Sequence, residues 1–232
     1  MSASNRARAE EGREDILTLL VEAVDEHGEG MDDAEIKSQL LTLLFAGYET
    51  TALTLAWAVD EFYRRPPVLG RIREEVDALE DPNDGLGYTQ LPYLDAAIKE
   101  TLRLHPVITE VLRLLDADMT LGDRTLPRGM AVSASILLAH LDPGRYDDPT
   151  AFHPDRFLER KYGPFDFLPF GGGHRRCIGA AFSTFEMQIS LGMLLRDYDV
   201  TLHDTALPAA VRKNLVMGPE SEVPVTIQRR AG

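Results

Sequence analysis

Residues 170–179 read FGGGHRRCIG and hold the only cysteine of the 232-residue chain, Cys177, behind three glycines and two arginines. A single cysteine can neither close an internal disulfide nor supply a zinc cage, so this thiol has to be explained by its own surroundings. Left to composition, it would be a small buried hydrophobe. Three successive glycines argue otherwise, because they let the backbone take positive φ or press against a flat object. Helical periodicity begins directly after the cysteine, over residues 178–198. The amides at that helix start, with Arg175 and Arg176 beside them, make an electropositive setting that suits a sulfur acting as metal ligand or nucleophile. A nucleophile needs a nearby base, and His174 should point elsewhere. No Gly-Lys-Ser/Thr follows the glycines, so a nucleotide loop fits poorly.

Working outward, residues 40–59 (LLTLLFAGYETTALTLAWAV) are nearly long enough to cross a bilayer, and Glu49 is the only charge between Lys37 and Asp60. A carboxylate at mid-span is costly in lipid, so the run predicts a helix buried in protein. Asp32 or Asp33 can cap it, and Pro66-Pro67 stop it after Tyr63. Ala46 and Gly47 lie four and three residues before Thr50, sharing its helical face and leaving a niche beside its hydroxyl. Glu49 could feed protons toward that niche; a helix-packing notch is the alternative reading.

Helices are also expected over residues 15–25, 68–79 and 93–104, with the turn cluster DPNDGLG at residues 81–87. The last contains Glu100 and Arg103, spaced to pair on one face, and their apolar flanks suggest burial. Arg156, in FHPDRF at residues 152–157, could complete the network. Residues 111–115 and 130–135 read as strands around the hairpin TLGDRTLPRG, with Arg113 a charge among apolar neighbours that could bind an anionic group. Residues 142–169 are Pro-, Asp- and aromatic-rich, an ordered irregular coil, and short strands at 199–204 and 223–230 close the chain. The expectation is a mainly α domain with minor β.

The net charge of -14 argues against a nucleic-acid partner. The acidic run from Glu10 to Glu35 reads as a solvated face. The polar opening, MSASNRARAEEGRED, shows no signal peptide.

In this order and spacing the motifs resemble the cytochrome P450 (haem-thiolate monooxygenase) family, over nearly the whole chain from about Arg13. Phe170-Gly-x-Gly-x-Arg-x-Cys-x-Gly179 resembles its haem loop, which points to Phe170, Gly173, Arg175 and Gly179 around Cys177. Ala46-Gly-x-Glu-Thr50 resembles its oxygen-binding notch. Glu100-x-x-Arg103 with Arg156 resembles its structural network.

The resemblance implies the C-terminal portion of that fold: long central helix, Glu-x-x-Arg helix, meander, Cys loop and terminal β-hairpin. Residues 1–232 would form one partial domain without its N-terminal half. Haem b iron would be held by Cys177, Arg113 and Arg175 would meet propionates, and His105 would be structural. Glu49 and Thr50 would manage proton delivery to O2. Electrons would come from NAD(P)H through a ferredoxin- or flavoprotein-type donor, with Arg160, Lys161, Arg175 and Arg176 as a basic docking patch. The implied substrate is a small hydrophobic organic molecule, and the implied location is soluble and cytoplasmic. On this reading the strands near Val111 and Met130 should lack partners. The alternatives are a non-catalytic haem-binding remnant, a half-protein that associates with another chain, and a peroxide-using isomerase or dehydratase.

Overall fold

The computed structural model describes residues 15–204 and 206–230. The polar opening read as lacking a signal peptide, and the start of the resemblance at Arg13, lie outside them. Two compact units are present, one reaching Glu49 and one starting at Thr50, and the long helix belongs to both.

In the first unit, Asp15 accepts from Thr18 N–H (2.9 Å) and so starts helix α1, Ile16–Glu22. Asp25 then takes the amides of His27 and Glu29 (2.8 and 2.9 Å) around Gly28, whose φ of 79° needs no Cβ penalty. Helix α2, Asp33–Tyr63, opens on a capping box: Asp32 accepts from Ala34 and Glu35 N–H, and the Glu35 carboxylate accepts from Asp32 N–H. Of the two expected caps, Asp32 is the one that closes this box.

In the second unit, the end of α2 packs with α3 (Pro66–Asp77), α4 (Pro92–Leu104) and α7 (Ala180–Asp197) around Phe62, Ile72, Leu94, Ile98, Met187, Leu191 and Leu195. Prolines at the first turns of α3 and α4 sit where a missing N–H costs nothing. Glu75 of α3 reaches the start of α4 and accepts from Tyr93 and Leu94 N–H (2.9 and 3.1 Å). That carboxylate both satisfies orphan donors and sets one helix against the next. Tyr88, on a 3-10 turn, lies so close to Gly192 that a Cβ there would fall 2.8 Å from the ring's Cγ.

The chain then forms β1 (Glu110–Leu114), β2 (Met119–Leu121), β3 (Arg124–Leu126) and β4 (Ala131–Ser135). Two short helices follow, α5 (Ile136–His140) and α6 (Arg156–Glu159), with the irregular segment between them. After α7 come β5 (Tyr198–Leu202), β6 (Ala210–Lys213), β7 (Val216–Pro219) and β8 (Val225–Arg229). Among the described residues the strands form four antiparallel pairs: β1 with β4, β2 with β3, β5 with β8 and β6 with β7. The expectation that the strands near Val111 and Met130 lack partners is therefore corrected. They pair with each other, Arg113 opposite Val132, because the β2–β3 hairpin between them folds back and brings them together. β7 is anchored by Met217 N–H donating to Val107 O (2.7 Å) and by the approach of Gly218 to Leu53 of α2.

Candidate active site: the cysteine loop and the Glu–Arg–Arg network

The loop before α7 is built from local bonds. Gly171 and Gly173 take φ of 69° and 66°, and a Cβ on either would meet nothing within 4 Å. Gly172 between them faces the side chains of Phe165 and Leu168. The glycines turn the chain so that Cys177 N–H donates to Phe170 O at 2.9 Å, closing the loop on itself. Gly179 ends it as the N-cap of α7, and a Cβ there would stand 3.8 Å from Cys177 Sγ, in ordinary van der Waals contact. The helix begins at Ala180 rather than 178, because Ile178 and Gly179 form the turn that leads into it. Cys177 is a free, exposed thiol, so the reading as a buried hydrophobe is set aside. Arg175 is exposed and forms no ion pair among the described residues; Arg113, exposed on β1, donates only to Leu112 O (2.8 Å).

The expected network is present and fully inside the protein. Arg103 donates to both oxygens of Glu100 (2.7 and 2.8 Å), and both residues have no exposed surface. Its remaining N–H groups donate to His140 O, Pro149 O and Ala151 O at 2.8, 2.7 and 3.1 Å. Arg156 of α6 adds a bond to Glu100 (3.1 Å) and another to Asp147 O (2.9 Å), and His153 N–H donates to the same carboxylate (2.8 Å). These bonds order the irregular coil: the two guanidiniums donate to backbone carbonyls and the carboxylate accepts a backbone N–H, groups that no sheet pairs.

Two histidines extend the scaffold. His105 stacks on Trp57 at 4.1 Å and bonds the buried Glu61 carboxylate at 2.6 Å, joining the ends of α2 and α4, which agrees with a structural role. His140, which the sequence gave no reason to single out, is wholly buried. Its Nδ1 lies 3.0 Å from Arg103 O, and its Nε2 takes the N–H of Leu168 at 2.8 Å. Burial lowers its pKa to about 4. Tyr146, edge-on to His140, donates its hydroxyl to Asp166 O (2.8 Å), and burial raises its phenol.

The helix residues divide differently from expectation. Thr50 is half-buried; the next residue, Thr51, places its hydroxyl 3.2 Å from that of Ser183 on α7, and Thr54 donates to Thr50 O at 3.0 Å. Ala46, Gly47 and Glu49 are exposed, as are Leu44, Phe45 and Tyr48 at 67, 76 and 78%. The prediction of a helix buried in protein, with Glu49 in a poorly hydrated place, is corrected: burial is confined mainly to the part from Thr51 onward. An apolar run shows that a helix needs cover, not that the described residues provide it. By length and composition α2 would also be able to cross a membrane.

A family model for Cytochrome P450 matches residues 2–226. A Mycobacterium tuberculosis protein named cytochrome P450 135B1 is 39% identical over 207 residues, covering 89% of this chain and 43% of that protein. A Drosophila melanogaster protein named cytochrome P450 4s3 is 38% identical over 184 residues, 78% of this chain and 36% of its own length. The solved structure of a retinoic acid-bound cyanobacterial CYP120A1 superposes with a TM-score of 0.86 at 29% identity, over 97% of this chain and 54% of that one. The chain thus spans about half or less of the length of these relatives.

Proposed function

Because the chain belongs to the cytochrome P450 family, we propose that it is the haem-binding portion of a monooxygenase that inserts one oxygen atom of O2 into a small hydrophobic organic molecule. The observation that carries this reading is the closed glycine loop that presents the Cys177 sulfur to solvent two residues after Arg175, which has no carboxylate partner among the described residues. These residues fit haem b. Cys177 would ligate the iron, Gly171 and Gly173 leave open space beside the loop, Phe170 and Gly179 hold the loop's ends, and Arg113 and Arg175 are available for propionates. Haem, when bound, supplies the redox chemistry that activates dioxygen. The chain's own residues ligate, orient and carry protons. Ala46 and Gly47, small and next to Thr50 in helical register, leave room for O2, while Glu49 and Thr50 hold and pass protons. Glu100, Arg103 and Arg156 fix the segment from which the loop departs. Electrons from NAD(P)H would arrive through a ferredoxin- or flavoprotein-type donor.

The test is the absorption spectrum of the reduced, CO-treated protein supplied with haem. The expected result is the red-shifted Soret band of a sulfur-ligated ferrous CO complex, abolished by Cys177→Ser. No such band in the wild-type chain would sink the proposal.

A second reading is a half-protein that associates with another chain. It is favoured by the exposed apolar side chains of α2, Leu44, Phe45 and Tyr48, together with Ile178 at 92% and Phe182 at 60%. Sedimentation that finds a monodisperse monomer would count against it.

A further inference from the structure

We propose that His140 is a positioning residue for the Cys177 loop, a neutral imidazole that donates at Nδ1 and accepts at Nε2 and so hangs residues 165–170 on the Glu100–Arg103 network. The inference concerns how the loop is held, and it stands or falls apart from whether Cys177 binds iron.

The hydrogen-bond partners dictate the tautomer. Arg103 O can only accept, so the proton of the ring sits on Nδ1 (3.0 Å); Leu168 N–H can only donate, so Nε2 must carry a lone pair (2.8 Å). The link to Arg103 is reciprocal, since the Arg103 guanidinium donates to His140 O at 2.8 Å. Arg103 O is also one of the last carbonyls of α4, which the helix itself leaves without an N–H. On the other side, Leu168 stands two residues before Phe170, whose carbonyl takes Cys177 N–H at 2.9 Å. One ring therefore joins the buried ion network to the loop that carries the sulfur.

The ring cannot accept a second proton without breaking this arrangement. Protonated Nε2 would point a donor at the Leu168 N–H donor. The charged or titratable groups facing it are the Arg103 cation from α4, with Glu100 behind already bonded by both arginines, and the Tyr146 phenol from the irregular coil. From the loop side it meets the Phe167 ring, stacked at 5.7 Å, and an amide. Among the described residues no carboxylate lies against the imidazole to compensate a charge, in keeping with the pKa of about 4 that burial imposes.

The experiment is amide hydrogen exchange on the full haem-free chain, corrected for intrinsic rates, in wild type, His140→Phe and His140→Gln. His140→Phe keeps a ring and loses both bonds; His140→Gln restores one donor and one acceptor. Exchange across residues 165–177 should accelerate about tenfold or more in His140→Phe, the scale of one buried hydrogen bond. Residues 187–195 of α7 should be unchanged, and His140→Gln should return the loop to within about threefold of wild type. On acidification from pH 6.5 to 4, the wild-type loop should lose protection while His140→Gln stays flat. Wild-type protection in His140→Phe overturns the proposal, as does a Gln variant as unprotected as Phe, which would make the role one of shape. Equal acid responses in wild type and His140→Gln also overturn it, and that comparison decides alone if His140→Phe does not fold.

Discussion

Arg103→Lys keeps the positive charge at the centre of the protein and removes its geometry. Arg103 makes five hydrogen bonds, two to Glu100 and one each to the carbonyls of His140, Pro149 and Ala151. A lysine ammonium is one point with three donors, so it can stay near Glu100 but leaves at least two of the carbonyls without a partner. Each buried acceptor so orphaned costs about 1–3 kcal/mol. The Coulombic attraction to Glu100 is largely retained, so the expected loss is about 3 kcal/mol, a large part of a domain stability of about 5–15 kcal/mol. With a urea m-value of about 2 kcal/mol/M, the midpoint should fall by about 1.5 M. Urea titration followed by circular dichroism and by the fluorescence of Trp57, the sole tryptophan, measures it. A loss below about 1 kcal/mol would refute the reasoning, because it would mean that water serves these carbonyls as well as the guanidinium does.

Acid should weaken the fold through His140. Its native pKa of about 4 lies below the ordinary 6.5, so the unfolded chain takes up the proton first. The stabilisation is complete above about pH 6.5, is lost as pH falls toward 4, and amounts to about 3 kcal/mol. Urea titrations at several pH values should show this slope in wild type and not in His140→Gln; identical slopes would count against it. Gly192→Ala should destabilise despite the better helix former, since the new Cβ meets Tyr88, whose hydroxyl is pinned by Pro82 O and Arg196 at 2.8 Å each. The expected cost is about 1–3 kcal/mol, and an unchanged or raised melting temperature would contradict it.

What could be read in advance was what the chain encodes locally. Asp32, one of the two candidate caps, and Pro66 mark the ends of α2 by a side-chain acceptor and a missing N–H, and both are short-range signals. Glu100 and Arg103 are one helical turn apart, so their pairing was legible, and the glycines around Phe170 announced a loop. The β6–β7 hairpin was missed because its main local cue is a single residue, Asn214 at φ 58°. His140 was missed for a different reason. Its partners are the carbonyl of a residue 37 positions earlier and the amide of one 28 positions later, a juxtaposition with no sequence period. Burial of α2 was overestimated because composition states a need for contact without naming the surface that meets it. Arg113 was placed correctly on a strand, yet only the ladder with β4 tells what lies opposite it.

The bond from Cys177 N–H to Phe170 O also bears on affinity. Glycines are the residues with the most backbone freedom to lose, and this loop spends three of them ahead of one sulfur. Because the turn is closed by the chain's own amide and tied at Leu168, that entropy is surrendered when the protein folds. A group that binds at Cys177 therefore meets a donor atom already in place, and little of its binding energy is diverted to ordering the loop.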